Sequence, residues 1–191
     1  MDNTRSNTNS NKGLTQNYFE LFSLDVSFDI DLKQLSENFR VLQQAVHPDR
    51  FANASDQERR ISVQRAAQIN EAHQVLKSPQ RRARYLIELQ GVVFDDQVNP
   101  VMAPIFLMQQ MELREALSDV KSTADPETAL DKILSDLKFS RTEILNKLGE
   151  QLNTPEHANI EKASQLMHEL QFLDKLQSES ELIEEELMDS L

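Results

Sequence analysis

The sequence predicts an all-α protein built as two helical units, and three observations carry that prediction. The 191 residues include only three Gly, six Pro and no Trp, and they are rich in Leu, Gln, Glu and Ala, which favour helix. Apolar residues recur at steps of three and four, in stretches opened by capping residues and stopped by prolines. Charge then divides the chain: residues 17–90 carry ten Lys/Arg against ten Asp/Glu, whereas 91–191 carry eight against twenty-one. The expected organisation is a disordered tail over 1–16, a helical-hairpin unit over 17–90, a connector over 91–100, and an antiparallel three-helix bundle over 101–191.

Composition also excludes several functions. With no Cys, disulfides, thiolate catalysis and thiolate metal sites are ruled out, and a reducing cytoplasm is the easiest fit. No apolar run approaches the ~20 residues a membrane span needs. The acidic half argues against nucleic acid, whose phosphates are held by cations that release counterions. His47, His73, His157 and His168 show no His-x-x-x-His or His-Glu-x-x-His spacing for a metal. No Gly-rich phosphate loop is present, so any ATP is hydrolysed by a partner. The expectation is therefore a protein that is not an enzyme, has no catalytic residues, and needs neither metal nor cofactor. Met1 to Gln16 is rich in Asn, Thr and Ser, without the apolar or Arg pattern of a targeting peptide.

In the first unit, Asn17 and Glu20 form a capping box that opens a short helix through Phe19 and Phe22. A loop from Ser23 to Ile30 follows. Asp31 caps the next helix, where Leu32, Leu35, Phe39, Leu42 and Val46 make one apolar stripe. Lys33, Arg40 and Gln44 fall in a narrow arc about a quarter turn away, leading to the stretch His47-Pro48-Asp49-Arg50. Pro48 lacks a backbone N–H and pushes His47 out of the α region, so the helix must end there. His47 and Asp49 are left on a stiff turn suited to presenting polar groups. Ser55 with Glu58 opens a second capping box, and a helix to about Lys77 places Ser62, Ala66, Ile69, Ala72 and Leu76 on one face. Small residues on that stripe suit a close antiparallel crossing with the preceding helix. Ser78-Pro79 stops it, and a shorter helix from Gln80 to Gln90 ends at Gly91.

The order of short helix, amphipathic helix, His47-Pro48-Asp49 turn and antiparallel helix resembles the J-domain of the DnaJ-type co-chaperones. Ile69-Asn70-Glu71-Ala72-His73, Ser78-Pro79 and Arg82-Ala83 with Tyr85 resemble that family's closing motif. The resemblance implies that His47, Pro48 and Asp49 dock on a DnaK-type chaperone and stimulate its ATPase, with Lys33, Arg40 and Arg50 supplying positive charge that steers the encounter. Two positions depart from the family: Val46 stands where an aromatic residue is usual, and Arg50 where Lys is usual.

The second half begins with a connector in which Val92, Val93 and Phe94 look anchored and Asp95-Asp96 exposed. From about Pro104 to Lys121 a helix carries two apolar stripes where a bundle helix needs one. Met102, Phe106, Leu113, Leu117 and Val120 form the core face, while Leu107, Met108 and Met111 lie on the far side with Glu115 and Asp119, and Glu112 sits at the edge. Outward apolar groups rimmed by carboxylates have no folding purpose. Asp125-Pro126 opens the next helix, with Leu130, Ile133, Leu134, Leu137, Ile144, Leu145, Leu148 and Leu152 along one face. Thr154-Pro155 repeats that start signal. The last helix places Ala163, Leu166, Met167, Leu170 and Leu173 on its core stripe. Phe172 points nearly opposite to Leu170, with Leu176 beside it, and both are read as misfits available to a second surface.

Phe106-Leu107-Met108 continuing through Met111-Glu112-Leu113-Arg114-Glu115, with Phe172-Leu173-Asp174-Lys175-Leu176, resembles the C-terminal domain of the HscB family of iron-sulfur cluster biogenesis. That resemblance runs from about Asn17 to the C-terminus. It implies that Leu107, Met108, Met111, Glu112, Glu115, Asp119 and Phe172 grip the scaffold protein IscU and deliver it to the chaperone HscA, aiding cluster transfer, with the protein acting as a monomer. Met111 stands where Leu is usual, and Asp119 where a longer acid is expected. The alternative is a J-domain co-chaperone for a different client and a different DnaK-type partner.

Overall fold

A computed structural model of the chain describes residues 16–51, 54–94, 104–153 and 159–189. The described residues contain helices and no strand. The contacts separate two units, Met1–Leu86 and Ile87–Leu191, so the division falls inside a helix rather than at Gly91. The tail, the connector beyond Phe94, Met102 and the Thr154-Pro155 start signal lie outside the described residues.

The first unit contains α1 (Tyr18–Leu21), α2 (Leu32–Ala45), α3 (Asp56–Lys77) and most of α4 (Pro79–Leu89), with a 3-10 turn, Pro48–Phe51, between α2 and α3. Each predicted start signal is formed. In α1 the Asn17 side chain accepts from the Glu20 amide at 2.9 Å and the Glu20 carboxylate accepts from the Asn17 amide at 3.1 Å. Asp31 accepts from the amides of Lys33 and Gln34, and Ser55 and Glu58 repeat the reciprocal box. These bonds satisfy amides that no preceding turn can pair. At the end of α1, Ser23 takes a left-handed φ of 52°, and the bonds Leu24 N–H to Phe19 C=O and Ser23 N–H to Glu20 C=O close a Schellman turn. Gly91 ends α4 at φ 87°, a backbone region in which any side chain would be strained.

Helices α2 and α3 run antiparallel, because Gln43 bonds Asn70 and Phe39 stacks on His73 with ring centroids 4.0 Å apart. Their core holds Leu35, Val46, Ile69, Ala72 and Leu76, closed by Phe19, Phe22 and Phe28. Tyr85 of α4 stacks on Tyr18 at 4.4 Å and accepts from the Tyr18 amide with its hydroxyl. Leu32 departs from its expected place on the stripe, since it is 49% exposed. The pairing of position 39 with 73 puts residue 32 opposite residue 80, beyond the end of α3, so no facing helix covers it.

Arg82 is a charged residue inside this unit. The guanidinium is buried, donates to the Leu76 carbonyl and lies 5.2 Å from the Phe28 ring centroid. Burial works against its charge and Asp29 works for it. Arg82 thus ties the turn after α3 to the loop after α1, and its Nε has no partner among the described residues.

The second unit is an up-down-up bundle of α5 (Pro104–Asp119), α6 (Pro126–Leu152) and α7 (Ile160–Met188), with a 3-10 turn, Val120–Ser122, after α5. Arg141 pairs with Asp174 at 3.1 Å, and Lys147 acts on Glu169, so α6 and α7 are antiparallel. Phe106 meets Phe172, Arg114 meets Glu179 and Lys121 meets Glu186, so α5 runs parallel to α7. Asp125 caps α6 with Pro126 in the first turn, and Asn159 caps α7 as described, accepting from the Lys162 amide. The core takes Leu117, Val120, Leu130, Leu137, Ile144, Leu148, Leu152, Ala163, Leu166, Met167, Leu170 and Leu173. Phe106 and Leu113 are half-buried rather than enclosed.

Leu176 corrects the expectation that it stands off the core with Phe172: it is 1% exposed. The reason is that α7 touches two neighbours, α5 and α6, so its buried arc is wider than the single stripe a one-partner helix shows. That arc takes in Leu176 and Ser180, whose hydroxyl donates to the Leu176 carbonyl at 2.8 Å.

Two outcomes follow for the first unit. Its aromatic setting lowers the pKa of His73 below 6.5, mainly through burial and then through Lys77. The folded state therefore prefers neutral imidazole, and its full stability holds above pH 6.5 and is lost as pH falls through the lowered value. Hydrogen exchange of the α2 and α3 amides in the full chain is expected to quicken from pH 7 to 5, after correction for intrinsic rates, and His73→Phe is expected to flatten that change. Arg82→Ala, which strands the Leu76 carbonyl, is expected to cost the first unit about 1–3 kcal/mol in the same measurement.

Candidate functional site

The first candidate site is the turn after α2. The helix ends at Ala45, and Val46, whose N–H still reaches the Leu42 carbonyl at 3.2 Å, is buried beneath the turn. Pro48 then starts the 3-10 turn, held by the Arg50 N–H to His47 C=O bond at 3.0 Å. The Asp49 amide donates to His47 Nδ1 at 3.3 Å, which orients the ring on the turn. The same Nδ1 lies 3.5 Å from an Asp49 carboxylate oxygen, and the two side chains are 58% and 91% exposed.

His47, Pro48, Asp49 and Arg50 are all exposed, as are Lys33 and Arg40 on α2. Positions 33, 40 and 44 share one face of that helix, so the cations flank the approach to the turn. Chemically the turn offers an exposed imidazole and an exposed carboxylate side by side. Nothing here activates a nucleophile, and among the described residues no group of His, Asp and Glu could hold a metal ion.

The second candidate site lies on the bundle. Leu107, Met108 and Met111 are 46%, 60% and 72% exposed, and Glu112, Glu115 and Asp119 are exposed on the same helix. Their outward position follows from Leu117 and Val120 taking the inner face. Phe172 of α7 is brought to α5 rather than left alone: its ring meets Phe106 edge-to-face at 5.7 Å, and the Arg114 guanidinium sits 5.4 Å from its centroid. Arg114 is itself held by Glu179 at 3.8 Å. Phe172 is therefore half-buried and held in orientation by its neighbours.

Sequence reasoning passed over Phe139 and Ile105, which are 69% and 67% exposed. Phe139 stands two residues after the buried Leu137, about 200° around the helix, so a wheel drawn for α6 would have found it. Beside Phe172 a groove of about 550 Å³ opens between the three helices, lined by residues including Phe106, Phe139, Glu143, Lys147 and Glu169. Burial pushes the Glu169 carboxyl pKa up, and Lys147 opposes this. No helix among the described residues is long and apolar enough to cross a membrane.

Known proteins match both units. Residues 17–85 match the DnaJ domain family, and residues 102–181 match the family described as the HSCB C-terminal oligomerisation domain. The co-chaperone protein HscB homolog of Shewanella loihica is 43% identical over 171 residues, covering 90% of this chain and 99% of that protein. The corresponding homolog of Shewanella woodyi is 42% identical over 173 residues, covering 91% and 99%. Among solved structures, chaperone HscB from Vibrio cholerae superposes with a TM-score of 0.76 at 44% identity, covering 90% of this chain and 99% of that one. Human co-chaperone protein HscB superposes with a TM-score of 0.79 at 26% identity, covering 89% and 83%. With an exposed His47-Pro48-Asp49 turn on one unit, an outward apolar helix on the other, and relatives alike over nearly their whole length, the chain belongs to the HscB family of J-domain co-chaperones.

Proposed function

We propose that the protein binds the iron-sulfur scaffold protein IscU through its bundle, delivers it to the DnaK-type chaperone HscA, and stimulates the ATPase of HscA through the turn at His47 to Asp49. The observation that carries this reading is the pairing of two exposed surfaces of opposite character on one chain. One is polar and rigid, and suits a contact whose geometry must be exact to trigger hydrolysis. The other is apolar, rimmed by Glu112, Glu115 and Asp119, and suits holding a folded client.

The division of labour gives the mechanism. IscU seats on Leu107, Met108, Met111 and Phe172, whose burial supplies affinity, while the carboxylates select orientation. Lys33, Arg40 and Arg50 steer the turn toward an acidic surface of HscA, and Asp49 and His47 make the contact that couples to hydrolysis. Tethering the scaffold and the turn to one molecule raises the concentration of each partner as seen by the other. The chaperone then closes on the scaffold and favours cluster transfer. The protein performs no chemistry of its own and works in the cytoplasm as a monomer.

Each half has its own test. Asp49→Ala is expected to abolish the stimulation of HscA ATPase in steady-state assays while IscU binding persists; loss of both would mean a folding defect and retention of both would remove the turn from the mechanism. Leu107→Ala and Phe172→Ala are expected to weaken IscU binding by about 1–3 kcal/mol each in calorimetric titration, leaving stimulation in the absence of IscU unchanged. Intact stimulation of a DnaK-type ATPase with no affinity for IscU would point to another client.

A further inference from the structure

The groove of about 550 Å³ between α5, α6 and α7 extends beyond the outward patch on α5, and the fold gives it no use. Its floor includes Leu113, Ile144 and Leu173, and Phe139 stands on its rim, 69% exposed. A bundle closing on itself would put apolar groups across such a gap, yet α5 turns Gln109 and Gln110 toward it. Three carboxylates, Glu112, Glu143 and Glu169, line it against one cation, Lys147. Burial holds the Glu169 pKa up and Lys147 opposes this, so Lys147 is already engaged with Glu169 while Glu112 and Glu143 remain exposed.

Two of the lining residues, Phe172 and Glu112, also belong to the patch proposed to hold IscU, so the groove and the patch are one continuous surface. Size gives a further reason to join them. A stable interface removes roughly 800 Å² from each partner, more than three partly exposed apolar side chains on α5 supply. We infer that the scaffold's footprint continues from Phe172 across this groove to Phe139, seating an apolar side chain of the scaffold against Phe139 and a neighbouring lysine or arginine against Glu143 and Glu112. The inference rests on reading the bundle as the scaffold-binding unit. It makes Phe139 and Glu143 determinants of client choice: Phe139 walls the apolar slot and Glu143 sets the sign of the charge beside it.

The test titrates purified IscU into the full chain and its variants, with helical circular dichroism as the check on folding. Phe139→Ala and Glu143→Lys are each expected to weaken binding roughly tenfold, and Glu143→Lys to reduce the dependence of affinity on salt. Leu182→Ala, another exposed apolar side chain of the bundle, is expected to leave affinity unchanged. If Leu107→Ala weakens binding while Phe139→Ala and Glu143→Lys do not, the groove inference falls and the proposed function stands. If the unaltered chain does not bind IscU, both fall. A concentration-dependent dimer in sedimentation that Phe139→Ala abolishes would assign the groove to a second copy and likewise overturn the inference.

Discussion

The missing amide hydrogen of Pro48 is the constraint on which the first unit turns. A helix whose stripe runs unbroken from Leu35 to Val46 would continue if it could, since its composition favours helix throughout. Pro48 denies the next bond and forces His47 into an extended conformation. The chain therefore reverses at the one place where Val46 can still be buried and the next four side chains cannot. Exposure of His47 and Asp49 follows from packing beneath them, and the amide of Asp49, bonded to His47 Nδ1, sets the imidazole without help from a partner. Stability and presentation have the same cause.

The bundle reaches a comparable result by another route. Its core is closed chiefly by α6 and α7, which bury one another along their length through Leu137, Ile144, Leu148, Leu166, Leu170 and Leu173. α5 adds Leu117, with Val120 from the turn after it, keeps Phe106 and Leu113 half-buried, and leaves its outer face free for other use. Apolar residues on that free surface are tolerated because the core is complete without them, and carboxylates around them keep the surface soluble. Surface ion pairs such as Arg114 with Glu179 contribute little to stability, but here one of them holds a cation over Phe172 and so fixes an aromatic edge.

Most of the architecture was legible because it is written in local rules. Asn17, Asp31, Ser55 and Asp125 cap the helices they were expected to cap, since a cap is decided by bonds within four residues. The outward set on α5 could be read from helical period alone, and the structure leaves Leu107, Met108 and Met111 exposed. What escaped depended on neighbours that a single helix does not reveal. Leu176 is buried because two helices flank α7, and Leu32 is exposed because α3 stops short of it. The burial of Arg82 could not be read from its own helix, since the Leu76 carbonyl and the Phe28 ring that hold it lie elsewhere in the chain. Phe139 was hidden in plain view on a helix judged only by its inner face.

Helix length carries one more consequence. At about 1.5 Å per residue, α5, with 16 residues, spans roughly 24 Å against about 40 Å for α6, with 27 residues. The pairing of 106 with 172 and 114 with 179 leaves the start of α7 beyond its reach, and Phe94 stands there instead, edge-on to His168 at 5.7 Å. A short rod laid on a longer pair is the first to loosen in such an assembly. α5, which carries Leu107, Met108 and Met111, thus has the shortest packed length of the three bundle helices. Under the proposed function, the scaffold would rest on the shortest of the three bundle helices, the one with the least length of neighbour to hold it in place.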